Sequence, residues 1–136
     1  MGNDKYPQPI EWTVSRESRE SRDLPVADST GREADVIYDV LSERRRRHVL
    51  RCLQEYDESM TLADVADEVA VRELGKRITD ISAETVMEIY LSLYHSHVPK
   101  LTAAGIVEYD QERDLVTTTN LEPVEPYLDM LEERDP

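Results

Sequence analysis

The sequence predicts a mainly α domain closed by a small β-hairpin. Three observations carry this prediction: apolar residues recur at three- and four-residue spacing between about residues 34 and 104, Ser or Thr stands at the head of the later helical stretches, and two β-rich segments flank a five-residue polar turn. At 136 residues the chain has room for one such domain with a single core.

Residues 1–33 read as a disordered N-terminal tail. They contain Pro7, Pro9, Pro25, Gly31 and the run Ser15-Arg16-Glu17-Ser18-Arg19-Glu20-Ser21-Arg22-Asp23, a composition too poor in apolar groups to offset ordering entropy. Ile10, Trp12 and Val14 are its one apolar patch. From Ala34 the character changes. Val36, Ile37, Val40 and Leu41 sit at helical spacing ahead of Ser42, which can cap a second stretch where Arg45, Val49, Cys52, Leu53 and Tyr56 share a face. Whether these are one helix or two stays open at this level.

Thr61 is an N-cap for a short helix with the stripe Leu62, Val65, Ala66, Val69 and Ala70, and Asp64 follows at capping-box spacing. Residues 71–81, with mixed charge and Gly75, read as a loop. Ser82 caps a long helix, with Glu84 and Glu88 favouring its dipole and Val86, Ile89, Tyr90, Leu93 and His97 placing one face inward. Pro99 removes the bond to the carbonyl of His95, which predicts a kink or a fresh turn to Ala104 closed by Gly105. Ile106–Tyr109 and Leu115–Thr119 then flank Asp110-Gln111-Glu112-Arg113-Asp114 as a hairpin. Over residues 120–136, Val124, Tyr127, Leu128 and Leu131 trace an apolar stripe after Pro123, too short to be stable without packing on something.

The order helix, capped helix, long helix and hairpin is that of a winged helix-turn-helix domain, with the hairpin as the wing, over residues 34–119. The segment His97-Val98-Pro99-Lys100-Leu101-Thr102-Ala103-Ala104-Gly105-Ile106-Val107-Glu108-Tyr109 resembles the part of ArsR/MarR-like winged-helix regulators where the recognition helix passes through His-Leu-Lys-Lys-Leu and a glycine turn into the wing. Leu41-Ser42-Glu43-Arg44-Arg45-Arg46-Arg47-His48-Val49-Leu50, together with Ser92-Leu93-Tyr94-His95-Ser96-His97, is similar to a haloarchaeal winged-helix family of uncharacterised function. The resemblance covers residues 35–119. It departs in the long segment between the second and third helices.

Thirty Asp and Glu stand against sixteen Lys and Arg, a net charge of -14 whose self-repulsion opposes compaction in ordinary buffer. At molar salt the Debye length falls to roughly 3 Å and the repulsion is screened. Arginine outnumbers lysine, which occurs only as Lys5, Lys76 and Lys100, and phenylalanine is absent, a composition that resembles proteins of salt-loving archaea. An ordinary acidic protein is the alternative. No apolar run approaches the roughly 20 residues that span a bilayer, and no signal-peptide core is present, so a cytoplasmic protein without membrane contact is expected. Cys52 is the only cysteine, which excludes an internal disulfide and a cysteine-rich metal site and leaves no expected cofactor.

Winged-helix domains place the third helix in the major groove, with side chains meeting base edges and cations meeting phosphates. Ser92, His95, Ser96 and Lys100 are the candidates on that helix, joined by Arg44, Arg46 and Arg47 of the arginine run and Arg113 at the hairpin tip. Each has a plainer alternative: a solvated helix side for the first four, and ion pairing with neighbouring acids for the arginines. Four consecutive arginines surround a helix, so at most two or three could reach phosphate. His95 and His97, two apart on a helix, point to nearly opposite sides and cannot share a metal ion. His97 reads as a core-edge histidine and Cys52 as packing. No phosphate loop, Ser-His-Asp order or recognisable carboxylate pair points to an enzyme.

The expectation is therefore a transcription regulator that binds double-stranded DNA as a homodimer, with the stripe from Val124 to Leu131 supplying part of the dimer contact. The alternative is a winged helix used as a protein-interaction module, because a net charge of -14 opposes approach to DNA.

Overall fold

The computed structural model describes residues 26–56 and 59–134. Its elements are α1 (Val26–Leu41), α2 (Arg44–Glu55), β1 (Ser59–Thr61), α3 (Leu62–Leu74), a 3-10 turn (Ile78–Asp80), α4 (Ala83–Ser92), a π turn (Leu93–His97), α5 (Val98–Ala103), β2 (Val107–Asp110), β3 (Leu115–Thr118) and α6 (Glu125–Arg134). The chain divides into two units at Val36, and all but the first part of α1 lies in the unit from Ile37 onward. The expected tail falls mostly outside the described residues. Its last eight positions are helical, because α1 begins at Val26 rather than near Ala34. Extending a nucleated helix gains one hydrogen bond per residue fixed, so α1 runs past the apolar stretch that betrays it in the sequence.

Two separate helices follow from a break at Ser42 and Glu43. Ser42 does not cap α2. Its hydroxyl donates to the carbonyl of Asp39 at 2.7 Å, finishing α1, and Glu43 occupies the N-cap position of α2 with no side-chain bond. On α2 the buried face is Arg46, Val49, Leu50, Cys52 and Leu53, so Arg46 rather than Arg45 turns inward, and Tyr56 lies exposed beyond the last turn.

Thr61 caps α3 as its sequence requires, accepting from the backbone N–H of Asp64 at 3.1 Å, and Leu62, Val65, Ala66, Val69 and Ala70 are all buried. The expected loop is shorter than 71–81. Helix α3 continues to Leu74 and stops at Gly75, whose φ of 65° is the left-handed conformation glycine adopts without a Cβ penalty. Ser82 caps α4 through the N–H of Thr85 at 3.1 Å.

Pro99 neither ends the helix nor restarts it. The chain stays helical from Ala83 to Ala103 by widening once: the N–H of Val98 bonds five residues back to Leu93, in the π turn just before the proline that cannot donate. Gly105, at φ 78°, then closes α5 through its N–H to Thr102 at 3.0 Å.

Strands β2 and β3 form the expected antiparallel hairpin, with Val107 opposite Thr118 and Tyr109 opposite Val116. A third strand, β1, pairs on the other side of β3, with Met60 opposite Val116, to give the order β1-β3-β2. The hydroxyls of Ser59 and Thr117 join across that pair at 3.1 Å. The domain is thus mainly helical with a small antiparallel sheet, the helix, strand, helix, helix, hairpin order of a winged helix. No helix among the described residues is long and apolar enough to cross a membrane.

The core gathers Leu41, Leu50, Leu53, Leu62, Leu93 and Leu101 with flanking valines. It also takes in α6. Val124 and Leu128 are buried and Tyr127 and Leu131 pack against the same cluster, while Arg51 bonds Asp129 and Gln54 bonds Glu125, each at 2.8 Å, to tie α6 to α2. The apolar stripe assigned to a dimer contact therefore has its partner inside its own chain.

Cys52 is fully buried in this cluster, and burial pushes its thiol up to about 12. Thiolate is the reactive form, so iodoacetamide should label the folded protein at least about a hundredfold more slowly than the denatured one. Equal rates, followed by mass spectrometry, would show an open path to this side chain.

Candidate nucleic-acid interface

The first turn of α2 reaches the middle of the helix that runs from α4 to α5, where Arg45 meets Ser92 and Arg46 meets His97. Arg45 bridges three helices: its guanidinium holds both carboxylate oxygens of Glu73 on α3 and donates to the Ser92 hydroxyl at 3.0 Å. The Glu73 bond, first among the causes, keeps the arginine firmly protonated. Ser92 is half-buried with this arginine upon it, so it serves the scaffold rather than a duplex.

Arg46 is a correction to the sequence reading. It is buried, donating through Nε to the carbonyl of Val40 at 2.6 Å and through Nη2 to that of Asp39 at 3.0 Å. Helix ends leave carbonyls without intrahelical partners, and this side chain satisfies two of them for α1. Its Nη1 lies 3.3 Å from Nδ1 of His97. A guanidinium only donates, so Nδ1 accepts and the ring carries its proton on Nε2. Burial first, then Arg46 and Arg45, pull the pKa of His97 down, which fits a neutral ring at the core edge. Arg47 is corrected for the same reason: half-buried, it donates to the carbonyl of Leu41. Both arginines are occupied with finishing α1 and are not available to phosphate.

The remaining candidates are at the surface. Arg44 is exposed on the first turn of α2. His95 and Ser96 are exposed on the π turn, His95 edge-on to the ring of Tyr94 at 5.0 Å. Lys100 is exposed and pairs with Asp39 at 2.6 Å; that bond holds the Asp39 carboxyl below its ordinary value. A solvent-exposed pair of this kind is worth little and can be exchanged for another anion. Arg113 lies apart at the exposed hairpin tip, 3.6 Å from Asp110. The structure thus leaves His95, Ser96 and Lys100 exposed on the later turns of one helix and Arg44 exposed at the head of α2, puts Ser92, Arg46 and Arg47 into the scaffold, and places Arg113 at the hairpin tip.

Charge around the patch is mixed: Arg45, Arg46 and Lys100 stand with Asp39, Glu43 and Glu73, and of the three cations Lys100 is the exposed one. The first turns of the same long helix are different. Glu84, Met87, Glu88 and Leu91 are all exposed there, Met87 at 55% and Leu91 at 44%. Inspection of the sequence missed this apolar pair because Met87 and Leu91 sit at helical spacing, which reads equally as core.

A second cluster the sequence did not reveal joins wing and helix. Asp114, at φ 55°, accepts the hydroxyls of Tyr90 from α4 and Tyr109 from β2 on one carboxylate oxygen, and its own carbonyl accepts the N–H of Leu62 at 2.7 Å. Burial and these bonds raise both tyrosine pKa values. The one sequence signal was an Asp at the end of a hairpin turn, a residue type that tolerates a left-handed backbone.

Among known proteins, the sequence model of a family described as a domain of unknown function, DUF7344, matches residues 38–117, more than half of the chain. No curated protein and no solved structure matches it.

Proposed function

The chain belongs to the DUF7344 family, and we propose that it is a non-enzymatic transcription regulator of winged-helix type that binds double-stranded DNA as a homodimer, inside a cell of high salt content. One observation carries this reading: His95, Ser96 and Lys100 are all exposed on the later turns of the long helix of a winged-helix topology, with Lys100 held by an exposed, exchangeable pair to Asp39. Glu84 and Glu88 repel phosphate, so contact comes from the later turns of that helix and from Arg44. Molar salt reduces the gain from releasing counterions, and base contacts by His95 and Ser96 carry the specificity. The homodimer belongs to this reading because a two-fold protein on a two-fold site doubles its contacts. Its interface is a surface other than the buried stripe of α6.

Mobility shift on the DNA upstream of the chain's own coding sequence, in molar KCl, tests it. A shift is expected, weakened about tenfold or more by Lys100→Glu combined with His95→Ala, at the ~1–3 kcal/mol that one base or phosphate contact contributes. Unchanged circular dichroism would confirm the variant's fold. An absent shift, or one indifferent to these substitutions, overturns the proposal.

The protein-interaction reading has its own support in Met87 and Leu91, exposed on α4 between two glutamates where a major-groove reader would carry polar or basic side chains. Absence of DNA binding, together with loss of a co-purifying partner on Leu91→Glu, would favour it.

A further inference from the structure

A groove of about 560 Å³ lies between α3, the 3-10 turn and the opening turns of α4. This is the size of a small-molecule site. Its walls are apolar, formed by Ala66, Ile81, Val86 and Met87. Its charged lining consists of two carboxylates, Asp67 and Asp114, with no lysine or arginine among the lining residues.

The two acids differ. Asp114 is engaged by the hydroxyls of Tyr90 and Tyr109. Asp67 is half-buried, and among the described residues no cation or hydrogen-bond donor pairs with it. Burial, and then the neighbouring charge of Asp64, push its carboxyl up, the signature of a negative group short of a counter-charge. Around it stand an apolar wall and, toward Asp114, the ring of Tyr90.

That combination selects an occupant by charge. Phosphate and other anions are repelled by both acids, so the groove is no part of a DNA surface. We propose that the groove binds a small organic cation, an alkyl- or arylammonium, whose head group pairs with Asp67 and whose hydrocarbon body packs on Val86 and Met87. The Tyr90 ring offers a second contact for the head group by cation–π attraction. This site is independent of the DNA reading and stands whether or not the long helix meets a duplex.

The test is titration of the full chain in molar KCl with phenethylammonium, against 2-phenylethanol as neutral isostere and 3-phenylpropionate as anion, followed by the methyl resonance of Met87 and the ring resonances of Tyr90. Saturable shifts with the ammonium are expected, about tenfold weaker binding with the alcohol, as loss of one charge-assisted hydrogen bond implies, and none with the anion. Asp67→Asn should bring the ammonium down to the affinity of the alcohol. Met87→Arg, at a site more than half exposed and therefore harmless to the core, should weaken the ammonium by about tenfold through like-charge repulsion. Binding of the anion as tight as that of the ammonium, an unchanged affinity in folded Asp67→Asn or Met87→Arg, or no saturable shift with the ammonium would each overturn the assignment.

Discussion

A chain ending at Asn120 is expected not to fold. The removed segment contributes Leu121, Val124 and Leu128 to the core, with Leu128 and Val124 essentially without solvent contact. Full burial of an aliphatic side chain stabilises by ~1.5–3 kcal/mol, so the three together contribute about 5–9 kcal/mol, the order of an entire domain's stability. The bonds from Arg51 to Asp129 and from Gln54 to Glu125 go with them. Within the full chain, Leu128→Ala should cost about 2–5 kcal/mol, read as a lowered denaturant midpoint in molar KCl. A truncated chain with native circular dichroism and a cooperative transition would show that α6 is an accessory. The consequence for assembly is practical: a truncation that abolishes a dimer proves nothing about its interface if it also abolishes the monomer. Surface substitutions such as Met130→Glu, on the exposed side of α6, are the sounder probes.

Arg46→Ala is the second large effect. The side chain is 8% exposed, and its removal takes the guanidinium bond from the Val40 carbonyl and one donor from that of Asp39, which keeps the Ser42 hydroxyl. Hydrogen bonds to a charged donor are worth about 1.5–3 kcal/mol, and a buried acceptor left unpaired costs about 1–3 kcal/mol, so a loss of about 2–4 kcal/mol is expected. For a domain near 100 residues this lowers Tm by roughly 10–25 °C. Arg46→Lys should recover only part of it, because an ammonium cannot reach two carbonyls in the fixed geometry of a guanidinium fork. Arg44→Ala, two residues earlier but exposed, should change stability by no more than about 0.5 kcal/mol. Equal effects at the two positions would mean that Arg46 is not the buried strut described above.

The contrast between these neighbours marks where sequence reasoning reaches its limit. Thr61 and Ser82 announce their helices because an N-cap is a local device, satisfied by an N–H three residues on. The hairpin is legible for the same reason: a polar turn between two β-rich segments is complete within a dozen or so residues. Arg44 to Arg47 offer no such handle. Which of the four turns inward depends on where α1 ends, and what holds Arg45 is Glu73, 28 residues away. The strand β1 is equally silent, since Ser59, Met60 and Thr61 are a strand only because β3 lies alongside them. Among the site residues, exposure of His95 and Ser96 follows from helical spacing, while the recruitment of Ser92 by Arg45 is visible only in three dimensions.

The wide turn before Pro99 shifts the phase of the long helix. Up to Leu93 the inward positions follow ordinary spacing, Val86, Ile89, Leu93; the next are Val98 and Leu101, a step of five where an α-helix would step by three or four. Each residue of an α-helix advances about 100° around the axis. Kept in strict α geometry, Ser96, His97 and Lys100 would rotate toward the interior and Val98 and Leu101 toward water. The extra residue is what sorts them. It also means that Met87 and Leu91 before the bulge and Lys100 after it do not lie along one straight ridge, so a rigid linear target that engages the first stretch meets the second obliquely.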